Sequence, residues 1–207
     1  MAGEQERLSR LAESWGVALA PEMADALVAY GRLLVDWNQR INLTGAKSLA
    51  DLIDDHFADS FAVASTLAGS PAVLDIGSGG GLPAIPAALL KPEASFTLVE
   101  PIRKKVAFLR TAIRVLDLGQ RLRVVPTRLE DGAGAFLGQA FDVAVSRATF
   151  EPPAWLSRAV SLVRVGGKIL ALTSGGAVPT PAGLRLAESV RYGTTPPRWL
   201  LVLIRST

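Results

Sequence analysis

Residues 73–83 read VLDIGSGGGLP. An apolar pair, Val73-Leu74, meets an acid, Asp75, and glycines then stand at alternate positions, Gly77, Gly79 and Gly81, with Ser78 inside the turn. A second apolar run, Phe96, Leu98 and Val99, ends in another acid, Glu100, 23 residues after Gly77. A strand feeding a glycine turn, with an acid at the tip of the next strand, is how an α/β sheet holds a nucleoside. On its own, G-x-G-x-G is weak, since a tight strand-to-helix turn with no ligand carries it too.

The dinucleotide fingerprint G-x-G-x-x-G needs glycine at position 82, where this chain has Leu82. That spacing offers a helix N-terminus to a pyrophosphate, so a nicotinamide dehydrogenase is disfavoured. A tighter turn lets backbone pass close to a ligand without phosphate, such as the adenosine and methionine parts of S-adenosylmethionine. Glu100 is then expected to accept hydrogen bonds from the ribose hydroxyls. Asp75 is expected to orient the loop or to attract the cationic end. Arg128-Leu129-Glu130 follows the third predicted strand, where backbone of Leu129 and Glu130 can read the adenine edge. A helix start explains the same acid, since acids favour helix N-termini.

Outward from the turn, the chain changes texture near residue 70. Upstream, Met23, Leu27, Tyr30, Leu34, Trp37 and Ile41 recur at steps of four and three and make one apolar stripe after Pro21. Ile53, Phe57, Phe61 and Ala64 make a second. Downstream, strands are predicted at 72–76, 96–99, 122–125, 141–145 and 168–172, with helices at 82–90, 103–118 and 153–163 between them. A continuously apolar run, Trp199–Ile204, reads as a central strand. Strands alternating with helices predict an α/β, mostly parallel sheet. The expected organisation is a helical extension over 1–70 and a ligand-binding domain over 71–207.

The chain has 207 residues, no cysteine and one histidine, His56. Disulfides, a thiol nucleophile and thiolate metal sites are excluded, and no zinc site of the usual kind is expected. No apolar run reaches the roughly 18 residues that span a bilayer. The N-terminus lacks the apolar core of a signal peptide, so a cytoplasmic protein with no membrane partner is expected. Residues 1–70 carry 10 acids and 5 Lys/Arg; residues 71–207 carry 9 acids and 17 Lys/Arg. Between Arg103 and Arg128, eight Lys/Arg face one acid, Asp117. On a helix, Arg103, Arg110 and Arg114 share a face opposite Val106, Leu109, Ile113 and Leu116. With Lys104 and Lys105 they are candidates for nucleic-acid backbone contacts, and a solvated helix face is the plain alternative.

The acceptor is narrowed by elimination. Cytosine C5 methylation needs a cysteine, which is missing. Exocyclic amine methylation uses Asn/Asp-Pro-Pro-aromatic after the fourth strand, and here that place holds Ser146-Arg147-Ala148. Glu151-Pro152-Pro153-Ala154 has the wrong first and last residues and reads as a helix start. Guanine N7 carries a free in-plane lone pair, so no base has to remove a proton and catalysis reduces to positioning. Arg147 is a candidate to hold the base or the methionine carboxylate.

These stretches together resemble the RsmG family, also called glucose-inhibited division protein B. The resemblance rests on Trp37-Asn38 through Ile41-Asn42-Leu43-Thr44, on His56 with Asp59-Ser60, and on 73–101. It continues through Arg103-Lys104-Lys105, Phe108-Leu109, Arg128-Leu129-Glu130, Ser146-Arg147-Ala148, Gly166-Gly167 and Arg198–Val202. It implies a class I methyltransferase that transfers the methyl group of S-adenosylmethionine to guanine N7 of small-subunit (16S) ribosomal RNA, leaving S-adenosylhomocysteine. It implies cofactor contacts at Gly77, Gly79, Gly81, Leu82, Glu100, Leu129, Glu130 and Arg147, with Ser78 in the same loop. It places Asn42 and His56 near the site. Asn42 as a helix cap and His56 as a hydrogen-bonded structural histidine are the plain alternatives. A monomer acting on the RNA or the assembling subunit is expected. A methyltransferase for a small molecule, or a non-catalytic nucleoside- or RNA-binding module of the same fold, would carry the same loop.

Two departures stand out. The family has Lys-Gly after strand five, where this chain has Ala171-Leu172-Thr173-Ser174-Gly175. The family also has a helix before strand six, for which Ser174–Gly183 is too short. Strand six is therefore expected as an antiparallel hairpin or an irregular edge.

Overall fold

The computed structural model describes residues 2–129, 141–193 and 197–206. Pro21 stands at the first position of a helix, as its fixed φ favours, and the stripe behind it buries Leu27, Tyr30 and Leu34. The elements before the sheet are α1 (Ala2–Ser14), α2 (Pro21–Asn38), α3 (Leu49–Asp51), a π-helical turn (Leu52–Phe57) and α4 (Ala58–Ser65). The sequence pattern merges the last three into one helix. The structure widens its middle into the π turn that carries His56.

The sheet follows with β1 (Ala72–Ile76), α5 (Ala84–Leu90), β2 (Ser95–Val99), α6 (Arg103–Val115), β3 (Leu122–Val125) and β4 (Phe141–Ser146). After them come α7 (Pro152–Ala159), a 3₁₀ turn (Val160–Leu162), β5 (Val163–Thr173), β6 (Leu184–Tyr192) and β7 (Arg198–Arg205). Among the described residues the seven strands are ordered β3-β2-β1-β4-β5-β7-β6. β1 to β5 pair in parallel, and β7 is antiparallel to both β5 and β6. The prolines of 151–153 do open a helix, with Glu151 at its N-cap position.

Of the two alternatives for strand six, the hairpin is corrected, while the irregular edge agrees with the sheet, where β6 is the terminal strand with a register break between Leu186 and Glu188. β6, over Leu184–Tyr192, is a strand that the sequence pattern does not announce, because most of its residues are polar and exposed. It runs in the same sense as β5, so it is not a hairpin with it. The segment 174–183 carries no helix, yet ten extended residues reach about 33 Å, ample to return along a strand. Leu184 starts opposite Arg205, one step beyond the Lys168–Ile204 pair of β5 and β7.

Alternation along the strands sorts side chains onto two faces. Val73, Phe96, Leu98, Val143, Val145 and Leu170 join the helices α1, α2, α4, α5 and α6 in one apolar cluster. Leu74, Ile76, Ala144 and Ile169 pack on α7 on the other face, where Trp155 Nε1 donates to the Leu170 carbonyl at 2.9 Å. No helix among the described residues is long and apolar enough to cross a membrane.

One hydrogen bond ties the upstream helices to the glycine turn. The buried Tyr30 hydroxyl donates to the Gly80 carbonyl at 2.6 Å. A buried carbonyl left without its donor costs about 1–3 kcal/mol. Tyr30→Phe is therefore expected to lower the urea midpoint by the equivalent of about 1–2 kcal/mol, with the slope unchanged. An unmoved midpoint would show that this bond contributes nothing to the fold.

Candidate functional site

The turn after β1 is held by backbone and carboxylate. Gly77 and Ser78 N–H donate to the Val99 carbonyl at 2.8 and 3.1 Å, and Gly81 N–H donates to the Ser78 carbonyl at 2.6 Å. Two glycines are required here for different reasons. Gly77 has φ +75°, and a Cβ on it would lie 2.0 Å from Thr149 Oγ1. Gly79 has φ +55°, and a Cβ there would meet nothing closer than the Gly77 carbonyl at 3.8 Å. The backbone at Gly79 therefore borders open space while sitting in a conformation that costs other residues about 1–2 kcal/mol.

Glu100, 3% exposed, braces this turn. Its Oε2 accepts from Gly79 N–H and its Oε1 from Ile102 N–H, both at 2.9 Å. Each oxygen keeps a further lone pair for another donor. Beside it opens a cleft of about 240 Å³, lined by Ile76, Gly77, Val99, Ile102, Leu129 and Phe150 among others. Leu129 thus sits with the glycine turn, as its place after β3 suggests. Ser78 is buried, and its hydroxyl donates to the Asp75 carbonyl at 3.1 Å. The Leu82 side chain is buried in the apolar cluster, so only its backbone lies at the turn. Glu130 lies outside the described residues.

Asp75 is 1% exposed, and its Oδ2 has no hydrogen-bond partner among the described residues. Burial pushes this carboxyl up to about 7, and the nearby Glu100 adds to the effect while Arg147 opposes it. A buried carboxylate oxygen without a donor is a costly arrangement that a cationic ligand would relieve.

A second cluster lies beside the turn. Arg147, at the end of β4, donates through Nη1 to His56 Nδ1 and to Asp59 Oδ2, both at 2.9 Å. Because Nδ1 accepts, the ring proton resides on Nε2, which donates to Thr44 Oγ1 at 3.1 Å. Burial and the Arg147 charge hold His56 below its ordinary value, so it is neutral at pH 7. Both ring nitrogens are engaged, and His56 has no lone pair left to take a proton. Thr44 is itself fixed by Asn38, whose side chain accepts from Leu43 and Thr44 N–H and donates to the Thr44 and Ala46 carbonyls. Asn42 is exposed in this loop. It does not cap the next helix, because Ser48 does so in a reciprocal box with Asp51.

Asp59, Tyr192 and Tyr30 are site neighbours that sequence reasoning passed over. Tyr30 reads as a core residue of its stripe, and Tyr192 lies in a strand with little apolar signal. Asp59 is visible only as part of the matched stretch His56–Ser60. On α6, Arg103, Lys104, Arg110 and Arg114 are exposed and Lys105 is half-buried, while Val106, Leu109 and Ile113 are buried. Phe108 and Ala112 fill that buried face too. The α6 basic residues are thus presented together on the exposed side of the helix.

With this geometry in view, the family relations are clear. The family described as rRNA small subunit methyltransferase G matches residues 23–177. A "Ribosomal RNA small subunit methyltransferase G" from Roseiflexus castenholzii is 36% identical over 168 residues, covering 80% of this chain and 71% of that protein. One from Alkalilimnicola ehrlichii is 37% identical over 180 residues, covering 86% and 78%. Among solved structures, a cofactor-bound protein from MTB is similar with a TM-score of 0.62 at 18% identity, over 87% of this chain and 90% of that one. The putative methyltransferase yhhF of Escherichia coli gives 0.53 at 19% identity, over 71% and 84%. At such identities these two speak for the fold alone, a class I methyltransferase sheet preceded here by N-terminal helices. The family match and its relatives, spread over most of the chain, make this protein a member of the rRNA small subunit methyltransferase G family.

Proposed function

We propose that this chain transfers the methyl group of S-adenosylmethionine to N7 of a guanine in small-subunit ribosomal RNA. Residues 71–207 would form the transferase domain and 1–70 its helical extension, acting as a monomer in the cytoplasm, where its substrate is found. The observation that carries the reading is the turn itself. Gly79 borders open space, the Glu100 carboxylate keeps free lone pairs, and a buried Asp75 oxygen lacks a donor.

The residues present fit that cofactor. The apolar cleft would take the adenine between Ile102, Leu129 and Phe150. Glu100 would receive the ribose hydroxyls, and Asp75 the ammonium group. When bound, the cofactor supplies an electrophilic methyl group on a sulfonium. The protein's part is to hold guanine N7 in line with that bond and to exclude water. No base is required, which agrees with a His56 locked by Arg147 and Thr44. Arg147 keeps Nη2 and Nε without a hydrogen bond among the described residues, so it retains donors for the acceptor side.

The decisive experiment supplies labelled S-adenosylmethionine to small subunits, and to their free RNA, from a strain lacking the gene. Formation of 7-methylguanine in that RNA, located by mass mapping, is expected. RNA that stays unmodified in both forms would sink the reading.

Asp75→Asn separates function from stability. A folded-state carboxyl raised to about 7 binds protons that the unfolded chain has released above about 4. Stability of the wild type therefore falls as pH rises from about 4 to about 7. The Asn variant removes the buried charge, so it should melt higher than wild type at pH 8 and lose that advantage near pH 4. Its affinity for S-adenosylmethionine should drop at least tenfold in calorimetry. A variant that melts lower at pH 8, or binds the cofactor normally, would show that Asp75 has another role.

The exposed basic face of α6 is proposed to contact RNA phosphates. An Arg110→Ala, Arg114→Ala double variant should weaken RNA binding and flatten its dependence on salt by about one to two contacts. Binding with an unchanged salt slope would make this face an ordinary solvated one.

A further inference from the structure

Asp59 has no part in the mechanism above, yet it joins three side chains near the site. It lies in α4 and is 4% exposed. Its Oδ2 accepts from Arg147 Nη1 at 2.9 Å. Its Oδ1 accepts from the Tyr192 hydroxyl at 2.8 Å and lies 3.0 Å from Arg198 Nη1. Arg147 directly follows β4 and Arg198 opens β7, with β5 between these strands in the sheet. One buried carboxylate thus gathers guanidinium groups from two strands that are not neighbours.

Two guanidinium cations touch the Asp59 carboxylate, and the histidine in contact with Arg147 is neutral. The Asp55 and Asp75 carboxyls act on the cluster from further off. Each arginine uses Nη1 alone for the interior. Arg147 shares it between His56 and Asp59, and Arg198 between Asp59 and the Asp55 carbonyl. Among the described residues, Nη2 and Nε of both carry no hydrogen bond. Their side chains are 20% and 25% exposed, so neither is sealed from solvent. The Tyr192 ring lies 5.6 Å from the Arg198 guanidinium and backs it. Two planar donor groups, locked at one end and open at the other, suit an oxyanion with several acceptor oxygens.

We propose that Asp59 is a positioning residue that presents Arg147 and Arg198 as a two-pronged clamp for an RNA phosphate beside the target base. This rests on the reading of the chain as an RNA methyltransferase. A phosphate is favoured over the carboxylate of the cofactor by position. The glycine turn follows β1, and β7 lies three strands away, about 14 Å at the usual spacing. Neither arginine lines the cleft that faces Gly77 and Leu129.

The test compares wild type with Asp59→Asn, Arg198→Ala and the double variant. Affinity for a small-subunit RNA fragment is measured against salt, and affinity for S-adenosylmethionine by calorimetry. Asp59→Asn is expected to weaken RNA binding about tenfold and to reduce the slope of log affinity on log salt by about 0.7, one contact. Cofactor affinity should stay within twofold of wild type. The double variant should bind RNA no worse than Asp59→Asn alone, a non-additivity that general loosening of the fold does not produce. RNA binding that matches wild type overturns the clamp. So does an equal loss of cofactor affinity, which would assign the arginines to the cofactor instead. If Asp59→Asn does not fold, Arg198→Ala and Tyr192→Phe carry the test, and an unchanged salt slope in both overturns it. The parent reading fails separately: wild type that binds RNA through this slope but forms no 7-methylguanine removes the proposed reaction and leaves the clamp standing.

Discussion

The site depends on how the glycine turn after β1 is held. A turn of this kind has little side-chain material with which to fix itself. Here three groups from elsewhere do so through its backbone. The Val99 carbonyl takes the N–H groups of Gly77 and Ser78, Glu100 takes that of Gly79, and Tyr30 donates to the carbonyl of Gly80. Two of these come from the neighbouring strand and its tip, and the third from the upstream helices. The helical segment is thus part of the turn's support as well as cover for one face of the sheet. A Cβ on Gly80 would press on Leu34 and Leu43, so the same helix and loop also pack against the turn directly.

Strand parity explains why the polar cluster forms where it does. Residues 73 and 75 share a face of β1, as do 143, 145 and 147 leading out of β4. Val73, Val143 and Val145 point to the helical face, so Asp75 and Arg147 follow them. Val190 and Tyr192 in β6, and Leu200 and Val202 in β7, have the same orientation, which brings Tyr192 and Arg198 to that side. α4 covers it and contributes Asp59. Arg147, Tyr192 and Arg198 therefore converge on Asp59 of α4 through period-two alternation, at strand ends where loops leave room for a substrate.

Much of this was legible in the chain. The alternation of apolar runs with helical patterns is strong from β1 to β5, because a parallel sheet buried on both faces needs continuous apolar strands. The G-x-G-x-G turn and Glu100 were readable because backbone conformation and strand-tip chemistry restrict residue type. The far edge was not. β6 exposes most of its residues, so it shows neither alternation nor an apolar run. The π turn was hidden inside an unbroken helical stripe, since widening a helix by one residue barely shifts the apolar positions. Asp59 was illegible as a hub for a different reason. Its partners lie 88 to 139 residues away, and nothing local marks a carboxylate that will be buried among them.

The far edge also bears on the lysine absent after strand five. Thr173, the last residue of β5, pairs with Trp199, so Arg198 stands level with Ser174 on the adjacent strand. The cation missing from β5 thus has a neighbour in β7 at the same height, facing the same helices. An arginine there differs from a lysine in kind. It divides its donors between Asp59 and the solvent side, whereas an ammonium is a single point of charge. Such a group needs a fixed carboxylate behind it to keep its open edge aimed. Asp59 is also bound by Tyr192, a residue of the strand that returns without a crossover helix. The shortened connection therefore leaves this edge of the sheet tied to the site through side chains of β6 and β7.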